Sequence, residues 1–326
     1  MISDYLRKEA SKNPARVLLP EGDDARMIEA AQKAAALKIC VPVVLLEEAD
    51  KNKARDILKK AKCEVLFIDD KLKKECAQKW MEIKKIELPI ALELVQNKMY
   101  LSAALLSLGY SDAMVAGAVH STKDVLKPSL EARKLYPGIP PATSSFIMEI
   151  PKFDGKENVI FIFADCGLNI EPSAAILAHI ANASNYVAKN ICGLEPKIAF
   201  LSFSSKGSAQ HLSVDKVREA LEITKQKFPF LDVDGELQAD AAIVDWIGKS
   251  KAQGSSVAGK ANVLIFPDLN SGNIAYKLVE RLAGAKAIGP VISGLNPPIN
   301  DLSRGCSVDD IIDMCAISSI QVNSVK

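Results

Sequence analysis

The chain has 326 residues, of which 48% are hydrophobic and 25% charged, enough for two domains with sizeable cores and ordinary for a globular protein. With 41 basic residues against 40 acidic ones the net charge is +1, which argues against a broad electrostatic grip on nucleic acid or an anionic membrane, so any anionic ligand must be held by local groups. The cysteines (Cys40, Cys63, Cys76, Cys166, Cys192, Cys306, Cys315) are odd in number, scattered and free of CxxC spacing, which points to reduced thiols in a cytoplasmic compartment and away from a zinc site or a disulfide framework.

The opening stretch MISDYLRKEASKNPARVLL predicts an amphipathic helix over the first dozen residues; it lacks the long apolar run of a signal peptide, and none is expected. RVLLP (16–20) reads as a short buried strand, followed by the acidic Glu21-Gly-Asp-Asp24 at the head of a helix, where the helix dipole favours such residues. The alternation repeats with a strand VPVVLL (41–46), a helix near 51–62, a strand EVLFI (64–68) and another helix. Short apolar runs alternating with helical ones predict a mostly parallel sheet covered on both faces. Residues 83–108 are expected to be helical. A strand over 112–116 then ends in Gly117-Ala118, and His120-Ser121-Thr122 opens a helix. Crevice sites in such sheets lie at the carboxyl ends of strands, where Ser121 and Thr122 stand. Helix capping is an equally good use for both residues, and the two uses are compatible.

YPGIPPATSS (136–145), rich in proline, glycine and hydroxyls, is the best linker candidate and contains Ser144. A second α/β series follows: a strand over 159–165 ending in Cys166 and Gly167, an Ala-rich helix over 171–189, and strands over 197–203, 231–237 and 262–268. Each of these strands opens into small polar residues before a helix, a pattern that suits a polyanionic or carbonyl-bearing ligand. Two bends, at Gly289-Pro290 and in GLNPPIND, mark the return to the first domain. The expected division is 1–143 with 297–326 as one domain and 144–296 as the other.

Residues 300–310, NDLSRGCSVDD, carry the densest chemistry. Ser303 and Arg304 lie on a loop that runs into the N-terminus of an apolar helix, a place whose free N–H groups suit a phosphate. Arginine adds a planar fork of donors. Asp310 falls on the first helical turn, but Ser307-Val-Asp-Asp310 also spells a capping box, and spacing alone leaves both roles open. Other motifs carry less. Gly254–Lys260 has the letters of a phosphate loop, yet Ala261 stands where a hydroxyl is needed and the run precedes a strand instead of following one. No GxGxxG follows a strand, no GxSxG elbow is present, and the three histidines (His120, His179, His211) are too far apart in sequence to suggest a metal motif. Cys166 reads as packing, with no partnered histidine.

The segments LPEGDDAR, DAMVAGAVHST, FADCGLNIEPSA, LSFSSKGSAQH, DGELQADAA, VAGKANVLIFPDLNSGNIAYKLVERLAGAKAIGP and NDLSRGCSVDDI resemble those of the phosphate acetyltransferase (phosphotransacetylase) family, within the phosphate acetyl- and butyryltransferases, over nearly the whole chain. The resemblance implies two three-layer α/β domains of the isocitrate and isopropylmalate dehydrogenase kind, with the active site in the interdomain cleft and usually a homodimer, its interface on the second domain. It implies reversible transfer of an acetyl group between CoA and phosphate, with CoA, acetyl phosphate and phosphate as substrates, no permanent cofactor and no metal. Residue by residue, it assigns Asp310 as the base toward the CoA thiol and Ser303 and Arg304 as holders of the phosphate and carbonyl of acetyl phosphate. Ser121, Thr122, Lys127, Ser144 and Asn300 stand as substrate-binding candidates. Lys127 occupies a position where the family usually has arginine, and MEIKKIELP offers only Lys84 and Lys85 where it often carries another; lysine keeps the charge and loses the bidentate fork, which bears on CoA affinity. A thiol near pKa 8.5 facing an aspartate near 3.9 makes an uphill transfer of roughly 6 kcal/mol, so closure around the base is expected to matter. The alternatives are butyryl transfer, an NAD-dependent hydroxy-acid dehydrogenase of related fold, and an acyl-CoA or acetyl phosphate sensor without turnover.

Overall fold

A computed structural model of the chain describes residues 1–50, 52, 62–132 and 141–324. The chain packs into two units, one of Ser3–Ile139 with Leu295–Lys326 and one of Met1–Ile2 with Pro140–Gly294.

The first unit opens with helix α1 (Ile2–Ala10) and strand β1 (Arg16–Leu19), then α2 (Ala25–Ala36), β2 (Val41–Glu47) and β3 (Glu64–Ile68). The helix expected near 51–62 falls almost wholly outside the described residues. The stretch expected to be one helical region over 83–108 is divided among the end of α3 (Asp70–Lys84), α4 (Leu88–Leu94) and α5 (Lys98–Ser107). Lys85 ends α3 in a left-handed conformation, Pro89 sits in the first turn of α4, and Asn97 caps α5 by accepting from the amides of Met99 and Tyr100. Strand β4 (Ala113–Ala116) and helix α6 (Thr122–Ala132) follow.

The second unit holds β5 (Thr143–Phe153), β6 (Lys156–Ala164), α7 (Ala174–Tyr186), β7 (Ile198–Leu201), α8 (Leu212–Lys227), β8 (Val233–Leu237), α9 (Ala239–Ile243), α10 (Asp245–Lys251), β9 (Val263–Ile265), α11 (Leu269–Leu282) and β10 (Lys286–Ser293). The chain then returns to the first unit through β11 (Ile299–Asp301) and α12 (Val308–Ser324).

The first sheet has five strands in the order β11-β4-β1-β2-β3, parallel at every pairing. The cores of β1, β2 and β4 are near-continuous apolar runs, as in parallel sheets buried on both faces, whereas β11 is Ile299-Asn300-Asp301. The second sheet has six strands in the order β10-β5-β6-β9-β7-β8. Its β6-β9-β7-β8 part is parallel, while β5 pairs antiparallel with both β6 and β10. Neither β5 nor β10 is legible as a strand in the sequence. The first three residues of β5, Thr143–Ser145, belong to the Pro- and hydroxyl-rich run read as a linker, of which 136–140 lie outside the described residues.

Candidate active site

Strands β11, β4 and β1 are neighbours running the same way, so their carboxyl ends share one edge of the sheet. Each feeds a loop and then a helix: residues 20–24 lead into α2, 117–121 into α6, and 302–307 into α12. In parallel sheets this edge is where ligands bind, because loop donors and helix N-termini converge there.

The loop after β11 carries Ser303 and Arg304, both exposed. It closes as a turn, with the Cys306 amide donating to the Ser303 carbonyl at 2.9 Å and the Gly305 amide to Ser303 Oγ at 3.3 Å. The Arg304 side chain has no partner among the described residues, so its donors are available to an anion. Ser307 and Asp310 form the capping box that the spacing spells: Asp310 Oδ2 accepts from the Ser307 amide at 2.9 Å and its hydroxyl at 2.8 Å, and the Asp310 amide donates to Ser307 Oγ at 3.2 Å. Asp310 is half-buried, and no described residue reaches its Oδ1. From Ile311 to Gln321 every residue of the helix is buried, so Asp310 is the last partly exposed side chain before the core. The start of α12 is clamped by α1: buried Asp313 accepts from Ser3 Oγ at 2.8 Å and Arg7 Nε at 2.7 Å, and Arg7 Nη2 also donates to Asp309 Oδ1 at 2.9 Å.

The loop after β4 repeats the device. Ser121 and Asp124 form a second capping box, with Ser121 Oγ donating to Asp124 Oδ2 at 2.6 Å, a bond that holds the exposed Asp124 carboxyl below its ordinary value. Thr122 Oγ1 donates instead to Asp301 Oδ2 at 2.5 Å, tying the head of α6 to the end of β11. Asp301 is buried, and its second oxygen has no partner among the described residues. Burial pushes its carboxyl up to about 6, with the charge of Glu21 adding to this and the polar groups of Thr122 and Leu302 pulling back. Gly117 lies against it: a Cβ there would stand 2.5 Å from Asp301 Oδ1 and 2.8 Å from the Leu302 backbone, and its φ is +111°, so only glycine fits.

Sequence reasoning missed two residues, one in the loop after β1 and one on the first turn of α2. Glu21, read there as a helix-start acid, is fully buried and accepts five hydrogen bonds from the turn after β4. The helix cap is Asp24, which accepts from the Arg26 amide at 2.8 Å. Arg26 is a buckle across three loops. It pairs with Asp24, gives Nη2 to the Ala118 carbonyl at 2.9 Å, and gives Nη1 to the carbonyls of Arg304 and Cys306 at 3.0 Å each. The only sequence signal for either residue was their place in LPEGDDAR. The Cys306 thiol beside them is buried, which pushes it up to about 11; Arg26 draws it down and Asp310 pushes it up. It is therefore a packed thiol held in its neutral form.

The remaining candidates are placed differently. Lys127 is exposed on α6, one turn before Glu131, and that carboxylate accepts from Lys84 Nζ at 2.6 Å and the Tyr100 hydroxyl at 3.0 Å. Glu131 is thus bonded to Lys84 and lies within the electrostatic reach of Lys127. Lys84 also lies 5.9 Å from the ring centres of Trp80 and Tyr100. Asn300 is fully buried and turns away from the loop, giving its amide to Ser318 Oγ at 2.8 Å and Gln321 Oε1 at 2.7 Å on α12. Ser144 belongs to the other unit, where it is buried; its amide donates to Asp165 Oδ2 at 3.0 Å and its hydroxyl to Asp165 Oδ1. Asp165 also accepts from the amides of Gly167 and Leu168 at 2.9 Å each, which shapes the turn after β6. Cys166 is buried beside it, and burial holds its thiol well above the ordinary value.

The run 254–260 gains no phosphate-loop character from the fold. Ser255 Oγ itself occupies the amides of Val257 at 3.2 Å and Ala258 at 2.9 Å, and it donates to Asp234. Among the described residues no helix is long and apolar enough to cross a membrane.

Comparison with known proteins converges on one group. The family model described as "Phosphate acetyl/butaryl transferase" matches residues 1–319. A phosphate acetyltransferase of Thermoanaerobacterium thermosaccharolyticum is 45% identical over 322 residues, covering 96% of this chain and 97% of that protein. Among solved structures, a phosphotransacetylase from Streptococcus pyogenes aligns with a TM-score of 0.87 at 38% identity, covering 99% of this chain and 98% of that one. The EutD phosphotransacetylase from Staphylococcus aureus aligns with a TM-score of 0.85 at 38% identity, covering 98% of each chain. The strand-end loops described above therefore sit on a scaffold shared over nearly its full length, and the chain belongs to the phosphate acetyl/butyryltransferase family.

Proposed function

We propose that this chain catalyses the reversible transfer of an acetyl group between CoA and phosphate, by direct attack of the CoA thiolate on acetyl phosphate in a ternary complex. The observation that carries the site assignment is the loop at 302–307: an unpartnered Arg304 guanidinium stands on an exposed turn, and a carboxylate with one open oxygen stands on the helical turn that follows. Arg304 and Ser303 hold the phosphate and the carbonyl oxygen of acetyl phosphate, where negative charge develops as the thiolate adds. Asp310 takes the thiol proton at Oδ1, while Ser307 keeps Oδ2 and fixes the rotamer. Ser121, just ahead of α6, and Thr122 and Lys127 on it are the substrate contacts, with Lys127 and Lys84 or Lys85 facing the CoA phosphates as point charges. Ser144 and Asn300 complete the set of substrate-binding candidates; the hydroxyl of Ser144 meets Asp165 and the amide of Asn300 meets α12.

The protein works in the cytoplasm as a homodimer in this reading. The seven free thiols support the compartment. The second unit supports the dimer, because Ile274, Leu278 and Leu282 on α11 are all more than half exposed and recur at a spacing that forms one stripe.

The test is a coupled assay of acetyl-CoA formation from acetyl phosphate and CoA, with butyryl phosphate as the competing acyl donor. Asp310→Asn is expected to lower kcat by about 100-fold or more with little change in KM, the pattern of a lost general base. Unchanged turnover would reduce Asp310 to a helix cap. Arg304→Ala is expected to damage acetyl phosphate use most.

A further inference from the structure

We infer that Glu21 is a positioning residue for this reaction: its carboxylate is a built-in anion around which the turn carrying Ser121 and Thr122 is folded. Four successive amides converge on it. Glu21 Oε2 accepts from Gly117 at 2.9 Å and Ala118 at 2.8 Å, and Oε1 accepts from Val119 and His120 at 3.0 Å each. The imidazole of His120 adds a fifth bond, Nδ1 to Oε1 at 2.7 Å. An ionised carboxylate only accepts, so Nδ1 carries a proton and a neutral His120 keeps its open nitrogen at Nε2.

Successive amides pointing inward form an anion-binding nest, and such nests at strand ends are ordinarily filled by a ligand. Here the chain fills its own nest with a side chain that is fully buried. The geometry then passes outward without a break. The turn ends at Ser121, which heads α6; Thr122 binds Asp301; and Asp301 precedes the loop of Ser303 and Arg304. Arg26, on the first turn of α2, closes the circuit by holding the Ala118 carbonyl on one side and the Arg304 carbonyl on the other.

The chemistry of the nest makes the residue hard to replace. Glutamine has one oxygen, and its amide group would point two hydrogens at two amide donors. Aspartate is a methylene short of spanning four amides. Either change leaves buried donors unsatisfied and lets the turn shift, and a shift of about 1 Å at reacting groups costs on the order of 100-fold in rate.

The inference rests on the acetyl-transfer reading, so wild-type turnover of acetyl phosphate and CoA is measured alongside; a wild type without turnover sinks that reading, whereas the outcomes below bear on Glu21 alone. Glu21→Gln and Glu21→Ala are expected to lose about 100-fold in kcat, with KM for acetyl phosphate within about threefold of wild type. Sodium formate, a free carboxylate that fits the vacated nest, is expected to restore about tenfold or more of the Glu21→Ala rate, with sodium chloride at equal ionic strength restoring none. Wild-type kcat in either variant would overturn the inference, as would a folded but inactive Glu21→Ala that formate does not rescue. Amide hydrogen exchange on the wild type stands apart from whether the variants fold. The amides of residues 117–120 are expected among the most protected of any loop, and fast exchange there would overturn the inference equally.

Discussion

Asp301 shows how a single side chain couples the site to solution conditions. It is a carboxyl buried with one hydroxyl donor, against the five donors given to Glu21 next to it, and burial raises its pKa from 3.8 to about 6. The folded state therefore holds the proton more tightly than the unfolded chain. Its contribution to stability is full below pH 3.8, falls as pH rises between there and about 6, and is lost above, a change on the order of 3 kcal/mol. Asp301→Asn stays neutral throughout and is isosteric, so urea unfolding of the variant is expected to lack this fall between pH 4 and 6.5, and the variant gains on wild type across that window. Parallel stability curves for the two proteins would contradict the assignment. The same residue marks the limit of what sequence could reveal. Ser303, Arg304, Ser307 and Asp310 are readable because a loop, a cap and a helix start lie within eight residues of one another. Asn300 and Asp301 look like more of that loop, but they belong to a strand of three residues, too short to display a period, and both are buried. Glu21 and Arg26 are illegible for another reason: their decisive partners lie 96 to 99 and 278 to 280 residues away, and nothing local announces a bond across such a gap.

At the scale of elements, one device recurs at three places where a strand hands over to a loop. An internal carboxylate collects the amides that the sheet no longer satisfies: Glu21 after β4, Asp165 after β6, and Glu236 after β7, where it accepts from the Gly207 amide at 2.9 Å and the Ser204 hydroxyl at 2.8 Å. Such turns are held from within, and they look to sequence reading like small polar residues awaiting a ligand. The strands that went unread have an equally physical explanation. β10 contains Gly289-Pro290, which signals a turn, but it is the edge strand of its sheet and its register slips between Ile288 and Val291, so proline interrupts no ladder in the sheet interior. Arg26 is the cross-element counterpart of these carboxylates, with one guanidinium spanning the loops after β1, β4 and β11. Arg26→Lys keeps the charge and cannot make these bonds together. Its expected signature is faster amide exchange in residues 302–307 and a loss of about tenfold in kcat, with a thermal midpoint within a few degrees of wild type. Unchanged exchange in that loop would show that the buckle is redundant.

At the scale of the whole molecule, the two units carry buried acids of opposite response to pH. Burial pushes Glu236 up, but the Arg218 guanidinium, the Gly207 amide and the Ser204 hydroxyl outweigh it and hold the carboxyl near 2, below its ordinary 4.5. Its contribution is therefore present above pH 4.5 and is lost as pH falls toward 2, the reverse of Asp301. Asp234 on the same strand behaves alike: burial raises it, yet Lys206 and Ser255 keep it below its ordinary value. The unit of Pro140–Gly294 should then resist neutral pH well and yield to acid, while the Ser3–Ile139 unit carries a term that acid strengthens. Glu236→Gln tests this directly. It removes the charge facing Arg218 and leaves that guanidinium, about a third exposed and still 3.6 Å from Asp215, only partly compensated. The expected cost at pH 7 is about 1–3 kcal/mol, below that of breaking a fully buried pair because water reaches Arg218. Between pH 4.5 and 2.5 the variant should lose less stability than wild type, so the two acid limbs converge. A variant whose deficit stays constant down to pH 2.5, followed by circular dichroism in urea, would mean that Glu236 titrates alike in the folded and unfolded chain and that the Arg218 pair is not the anchor of this unit's second strand-end turn.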